Sequence, residues 1–179
     1  MILIETPRLI IRCMRMSDLS DSFEHRSCAD VNKFITVPLT YEQTKIRLEQ
    51  AVQPWYANEN EKLGLAIELK KERKLIGELM FKYTNLASSI GEIGYRLNNK
   101  YQKCGYAFEA VHALYSHLFQ EMNVHKLTAQ CLVDNEASWK LMEKLGMKKE
   151  GILREHYKIS ENWFDGYCYG ILNKEFNFQ

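Results

Sequence analysis

Apolar positions along this chain switch repeatedly between a spacing of two and a spacing of three or four, and each switch marks a predicted element. The run RLIIRCM (8–14) is short and β-rich and reads as the first strand. SDLSDSFEHRSC (17–28) opens on Ser17 or Asp18 as N-cap and reads as a helix. A second helical stretch covers 40–60, where Thr40 and Gln43 form a capping box and Pro54 ends or kinks the helix. Leu63, Leu65, Ile67 and Leu69 then alternate, the charged turn KERK intervenes, and Leu75, Gly77, Leu79, Phe81 and Tyr83 alternate again. That pattern predicts an antiparallel hairpin. Over 89–98, Ile93, Tyr95 and Leu97 share one strand face, with Glu92 and Arg96 on the other.

From Ala107 the spacing turns helical through Ala110 or Val111, Leu114, Leu118 and Met122. HKLTAQCLV (125–133) returns to strand alternation, NEASWKLMEKLGM is a short helix closed by Gly146 at C′, and strands near 147–158 and 163–172 meet across ISEN. The order is strand, two helices, three strands, helix, strand, helix, two strands. The strand–helix–strand unit over 89–133 predicts a right-handed crossover and one parallel pair. The expected architecture is α/β (α+β), a mixed, mostly antiparallel sheet of about seven strands flanked by about four helices. With no internal repeat or Pro/Gly/Ser linker, residues 1–179 are expected to form a single domain.

Composition narrows the function classes. A chain of 179 residues with 46% hydrophobic and 26% charged residues suits a globular protein, and a net charge of +1 gives no global pull toward nucleic acid or a membrane surface. The start, MILIETPRLIIRC, lacks a basic n-region and a long apolar h-region, and no apolar run approaches the roughly 18–20 residues of a membrane span. Cys13, Cys28, Cys104, Cys131 and Cys168 form no C-x-x-C pair or Cys/His cluster, so reduced thiols in a cytoplasmic protein, with no metal site, are expected. His112 and His117 stand five apart, not at the i, i+4 metal spacing.

One polar turn carries chemistry. In YQKCGYAFEAVHAL (101–114), Gly105 can take a positive φ and the small Ala107 lets a ligand approach the backbone. N–H groups from Lys103 to Ala107 have no intrahelical acceptors, so the helix end offers an anion several donors and a positive field, with Lys100 and Lys103 nearby. Neither G-x-x-x-x-G-K-[ST] nor G-x-G-x-x-G is present. Taken alone, the turn fits a diphosphate site and a plain loop equally well.

In context, the order GEIGYRLNNKYQKCGYAFEA, a strand, then DNEASWKLMEKLGM resembles the GNAT acetyltransferases, most closely the RimJ/RimL-type branch of ribosomal-protein N-terminal acetyltransferases. The likeness runs from ETPRLIIR to DGYCYGIL. It implies that Gln102-x-x-Gly105-x-Ala107, with Lys103, Cys104 and Tyr106, forms the acetyl-CoA pyrophosphate loop. It implies too that Leu97 and Asn98 present backbone groups to the pantetheine, and that the strands at 89–98 and 125–133 splay around the thioester. Asn135 and Ser138, followed by Lys144-Leu145-Gly146, match the helix beside the pantetheine arm. Asn135 reads as a pantetheine contact or an N-cap, and both can hold; Ser138 reads as a thiolate donor or an ordinary helical serine.

Glu92 is the candidate general base, because related enzymes carry a carboxylate there; the plainer reading is an exposed strand glutamate. Many family members place a tyrosine four residues before Gly146, where this chain has Met142. Tyr106, Tyr167 and Tyr169 are the substitutes considered. Cys104 has no motif pairing it with a base and reads as loop packing. The implied reaction is acetyl transfer from acetyl-CoA to a primary amine, a protein N-terminus or a small molecule, by direct attack in a ternary complex. A non-catalytic acyl-CoA-binding module is the alternative. The terminal hairpin leaves an edge through which a homodimer could pair.

Overall fold

The computed structural model describes residues 2–178. Eight strands form one sheet in the order β1-β2-β3-β4-β5-β6-β8-β7. They are β1 (Leu3–Glu5), β2 (Leu9–Cys13), β3 (Leu63–Leu69), β4 (Lys74–Asn85), β5 (Ile90–Leu97), β6 (Lys126–Leu132), β7 (Lys148–Ile159) and β8 (Asn162–Leu172). The helices are α1 (Leu19–Arg26), the single turn α2 (Ala29–Asn32), α3 (Tyr41–Ala51), α4 (Tyr106–Gln120) and α5 (Glu136–Lys144). All pairings are antiparallel except β5 with β6, the crossover pair expected from the pattern.

Two departures from the sequence reading have local causes. Strand β1 was not expected; three residues are too few to show a period, and they become a strand by pairing Leu3, Ile4 and Glu5 with Arg12, Ile11 and Ile10. The second helix ends at Ala51 rather than near residue 60, before the backbone reaches Pro54, whose predecessor is steered away from helical geometry. Its start is as expected: Thr40 Oγ1 accepts from Gln43 N–H at 3.2 Å, and Gln43 Oε1 accepts from Thr40 N–H at 2.9 Å.

The strand alternation sorts side chains to two faces. Leu65 and Ile67 of β3 and Leu79 and Phe81 of β4 join Leu114, Leu118 and Phe119 of α4 in the main core. Ala66 and Leu75 face the other way, with Met14 and Leu48. Helices α1 and α3 therefore cover one face and α4 the other. On the α1–α3 face, register puts Glu78 opposite Arg96, Met80 opposite Gly94 and Lys82 opposite Glu92. These pairs form the floor of the functional cleft or lie beside it.

Candidate active site

The β5–β6 pair opens partway along its length. Only Ile90–Lys126, Gly91–Leu127 and Glu92–Thr128 are in register, although β5 continues to Leu97 and β6 to Leu132. One backbone edge of each strand beyond that point faces a gap instead of a partner, and polar backbone groups left in such a gap call for another partner. A cleft of roughly 1330 Å³ runs through it. One end is lined by Gln102, Lys103, Gly105, Tyr106 and Ala107, the other by residues of α1 and α3, and the middle by Gly94, Tyr95, Cys131 and Ser138.

The loop end has the geometry of an anion site. Gly105 is the α4 N-cap at φ 81°, and Lys103 before it also has a positive φ, 61°. The first bond into the helix runs from Glu109 N–H to the Gly105 carbonyl at 3.1 Å. The N–H groups of residues 105–108 thus have no backbone acceptor among the described residues, where the helix dipole favours negative charge. Arg8, the residue just before β2, braces the loop: its guanidinium bonds Glu109 (2.6 Å) and the Cys104 carbonyl (3.0 Å) and lies 4.4 Å from the Tyr106 ring centroid. Burial would raise the Glu109 carboxyl pKa, but bonds from Thr6 and Arg8 overcome this and hold it below its ordinary value. Arg8 was invisible to motif reading because it lies 97 positions before Gly105. Arg8→Ala is expected to raise the acetyl-CoA dissociation constant about fivefold, the effect of losing roughly 1 kcal/mol of loop bracing. Calorimetric titration checks this, and an unchanged constant removes Arg8 from the loop's support.

At the middle of the cleft, α5 is tied across the gap. Asn135 Oδ1 caps the helix by accepting from Ser138 N–H at 3.3 Å, and Ser138 Oγ lies 2.9 Å from the Tyr95 hydroxyl. Tyr95 also reaches the Ser138 carbonyl at 3.0 Å. Burial raises the Tyr95 pKa well above its ordinary value, so the hydroxyl keeps its proton. Cys131 is beside Ser138, and burial pushes its thiol up to about 11.

Of the predicted residues, Leu97, Gln102, Lys103, Gly105, Tyr106, Ala107, Asn135 and Ser138 line the cleft; Glu92, Asn98 and Cys104 do not. The backbone groups of Asn98 are already engaged: its N–H donates to Ile76 O (2.8 Å) and its carbonyl accepts from Tyr101 (3.0 Å). Cys104 is exposed, its thiol 3.4 Å from the Gln102 carbonyl. Glu92 lies on the floor face beside the cleft, 3.3 Å from Lys82 Nζ. Of the substitute tyrosines, Tyr167 lies under Lys149 (3.5 Å to the ring centroid) and Tyr169 is buried against Glu143; neither lines the cleft. Tyr157, which the sequence reading did not single out, does line it, with its pKa pushed up to about 12 by burial first and then by neighbouring Cys131 and Glu92.

Glu78 was also missed. Its carboxylate accepts from Ser22 Oγ (2.6 Å), His25 Nε2 (3.1 Å) and both Nε and Nη2 of Arg26. Burial alone would raise its pKa; His25 and Arg26 reverse that and hold it far below the carboxylate range. A carboxylate so committed is a poor proton acceptor. No group of three or more His, Cys, Asp or Glu side chains among the described residues is arranged to hold a metal. No helix among them is long and apolar enough to cross a membrane.

Comparison with known proteins agrees with this geometry. The family model for the acetyltransferase (GNAT) domain matches residues 8–148. An uncharacterized N-acetyltransferase, YnaD, of Bacillus subtilis is 33% identical over 174 residues, covering 97% of this chain and 99% of its own. The crystal structure of a GNAT-family acetyltransferase from Bacillus anthracis superposes with a TM-score of 0.87 at 31% identity, covering 97% of this chain and 100% of that one. A shorter match of 30% over 73 residues, 41% of this chain and 38% of the other, is to the ribosomal protein uS5-alanine N-acetyltransferase of Escherichia coli. The splayed strands, the glycine-led helix end and these relatives together make this chain a member of the GNAT family of acetyl-CoA-dependent N-acetyltransferases.

Proposed function

We propose that the protein joins acetyl-CoA and a primary amine in one ternary complex and transfers the acetyl group by direct attack. The observation that carries this reading is the continuity of the cleft from the α4 loop, through the β5–β6 gap, to the α1–α3 wall. Donor and acceptor then meet end to end, which converts a bimolecular reaction into a positioned one. Diphosphate oxygens take the free N–H groups at Gly105–Phe108, and the pantetheine takes the unpaired backbone edge of β5.

The amine nitrogen attacks the thioester carbonyl; the C–N bond forms and the C–S bond breaks. The proton shed by nitrogen passes through a water to Glu92, whose ion pair with Lys82 leaves carboxylate lone pairs available. The departing sulfur accepts a hydrogen bond from the Tyr157 hydroxyl, which holds its proton at neutral pH and stands in for the tyrosine that Met142 replaces. A coenzyme thiolate leaves readily, so an assisting hydrogen bond suffices in place of full proton transfer.

Cys131 is the one thiol lining the cleft, and its raised pKa keeps it protonated and weakly nucleophilic. Cys131→Ala is expected to retain turnover within about threefold, and intact-mass measurement is expected to find no acetylated enzyme. A stable acetyl adduct that disappears in Cys131→Ala would replace direct attack by a two-step route. The overall reading is tested by thiol release from acetyl-CoA across a panel of amines and peptides. Acetyl-CoA binding with no acceptor-dependent release across the panel would leave a binding module and overturn the transfer reaction.

A further inference from the structure

The wall of the cleft formed by α1, α3 and the β4–β5 floor carries more cationic than anionic side chains. Arg26, Arg47, Lys62 and Arg96 line it against Asp30, Glu61 and Glu78. Glu78 is taken up by Ser22, His25 and Arg26. Glu61 accepts from the backbone N–H groups of Tyr56 (3.0 Å) and Asn58 (2.9 Å). Arg96 is across from Glu78 in register, yet its Nη1 is buried with no hydrogen-bond partner among the described residues.

An unpartnered buried donor destabilises a fold, and more so when charged, so such a group calls for an explanation. Burial brings the Arg96 guanidinium down to about 10; the charges of Arg26 and Arg47 push the same way, and Glu78 pulls against them. The group stays cationic at neutral pH, beside the like charges of Arg26 and Arg47 and with the Glu78 carboxylate bonded by other donors. An anionic oxygen group relieves both conditions at once, since it accepts from Nη1 and offsets the repulsion among the arginines.

We propose that the acetyl acceptor is an amine that also bears an anionic oxygen group, carboxylate or phosphate, and that Arg96, assisted by Arg47, receives that group. This rests on the transfer reaction proposed above and adds the chemical class of its acceptor. Arg96 and Glu92 share one face of β5 four residues apart, roughly 13 Å along the strand, which the arginine side chain and a bridging water shorten. The amine and the anion are therefore separated by several bonds, as in an ω-amino acid, rather than attached to one carbon.

The test pairs acceptors of equal length: 6-aminohexanoate against its amide, and 3-aminopropyl phosphate against 3-aminopropanol, with thiol release followed in the wild type, Arg96→Gln, Arg96→Lys and Arg47→Gln. The anionic member of at least one pair is expected to exceed its neutral partner at least tenfold in kcat/KM; which pair does so separates carboxylate from phosphate. Arg96→Gln is expected to abolish the preference, Arg96→Lys to restore part of it, and the exposed Arg47→Gln to reduce it with folding intact. Acetyl-CoA affinity stays unchanged in all three. Equal turnover of neutral and anionic acceptors overturns the proposal. So does a parallel loss of acetyl-CoA affinity in Arg96→Gln, because the arginines would then serve the donor. If no amine turns over, the transfer reaction fails separately. The anion site is then read on CoA-saturated protein from the melting-temperature rise given by N-acetyl-6-aminohexanoate and 3-acetamidopropyl phosphate against their uncharged counterparts. A rise confined to an anionic compound and absent in Arg96→Gln supports the site; equal rises, or none, overturn it.

Discussion

Gly105→Val is expected to abolish measurable acetyl-CoA binding while leaving the melting temperature of the ligand-free protein nearly unchanged. Gly105 holds φ 81° at the α4 N-cap, a region in which a β-branched residue is strained by about 1–3 kcal/mol. A Cβ there would also stand 3.3 Å from Arg8 Nη2, the side chain that braces the loop through the Cys104 carbonyl. The loop relieves both problems by moving, which turns the free N–H groups of residues 105–108 away from a common point. Those donors are useful to a diphosphate only together, so a small rotation forfeits several charge-assisted bonds at once. The cost falls on binding because the loop is exposed and contributes little to the core. The measurement is the acetyl-CoA-dependent rise in melting temperature, which mass action makes large for the wild type. A Gly105→Val protein that keeps the full rise would show that the helix end does not hold the diphosphate.

Much of this architecture was legible because the sheet has one face in the core and periodicity reports that directly. Leu63, Leu65, Ile67 and Leu69 alternate in sequence and are all buried in the structure. Strand β1 and the single turn α2 escaped because each is shorter than the window a period needs, and only tertiary pairing defines them. At the site, the loop was readable since its donors are backbone groups in one contiguous run. The acceptor wall was not. Glu78 sits in LIGELMFKY, where a charged residue in an alternating run reads as solvent-facing, and Arg26 and His25 lie more than fifty positions away. Their meeting depends on α1 packing over β4, which no local pattern encodes. Asn98 shows the same limit: its N–H donates to Ile76, on another strand, a contact that no local pattern encodes.

Glu92→Gln is expected to lower kcat by about a hundredfold or more, with little change in acetyl-CoA affinity, because a positioned base contributes roughly 10²–10⁴. Two carboxylates stand on the floor face of β4 and β5, and their environments separate their roles. Glu78 lines the cleft but is saturated by Ser22, His25 and Arg26, and those donors make protonation unfavourable. Glu92 lies beside the cleft with Lys82 at 3.3 Å as its ion-pair partner, and it is close enough to cleft-lining Tyr157 to affect that hydroxyl. A base at one water's remove keeps its lone pairs accessible, whereas a base fixed by four donors does not. Glutamine preserves size and the contact with Lys82 but cannot accept a proton. The pH profile separates this role from a structural one. In wild type and variant alike the rate rises with pH as the attacking amine loses its proton; with proton acceptance left to solvent, the variant alone is expected to gain further rate from hydroxide or added buffer base. Glu92→Asp, which shortens the side chain while keeping the carboxylate, is expected to recover part of the rate through the intervening water. Turnover and pH profile both unchanged in Glu92→Gln would remove the residue from proton transfer. The free amine would then lose its proton to solvent, and attack would depend on positioning alone.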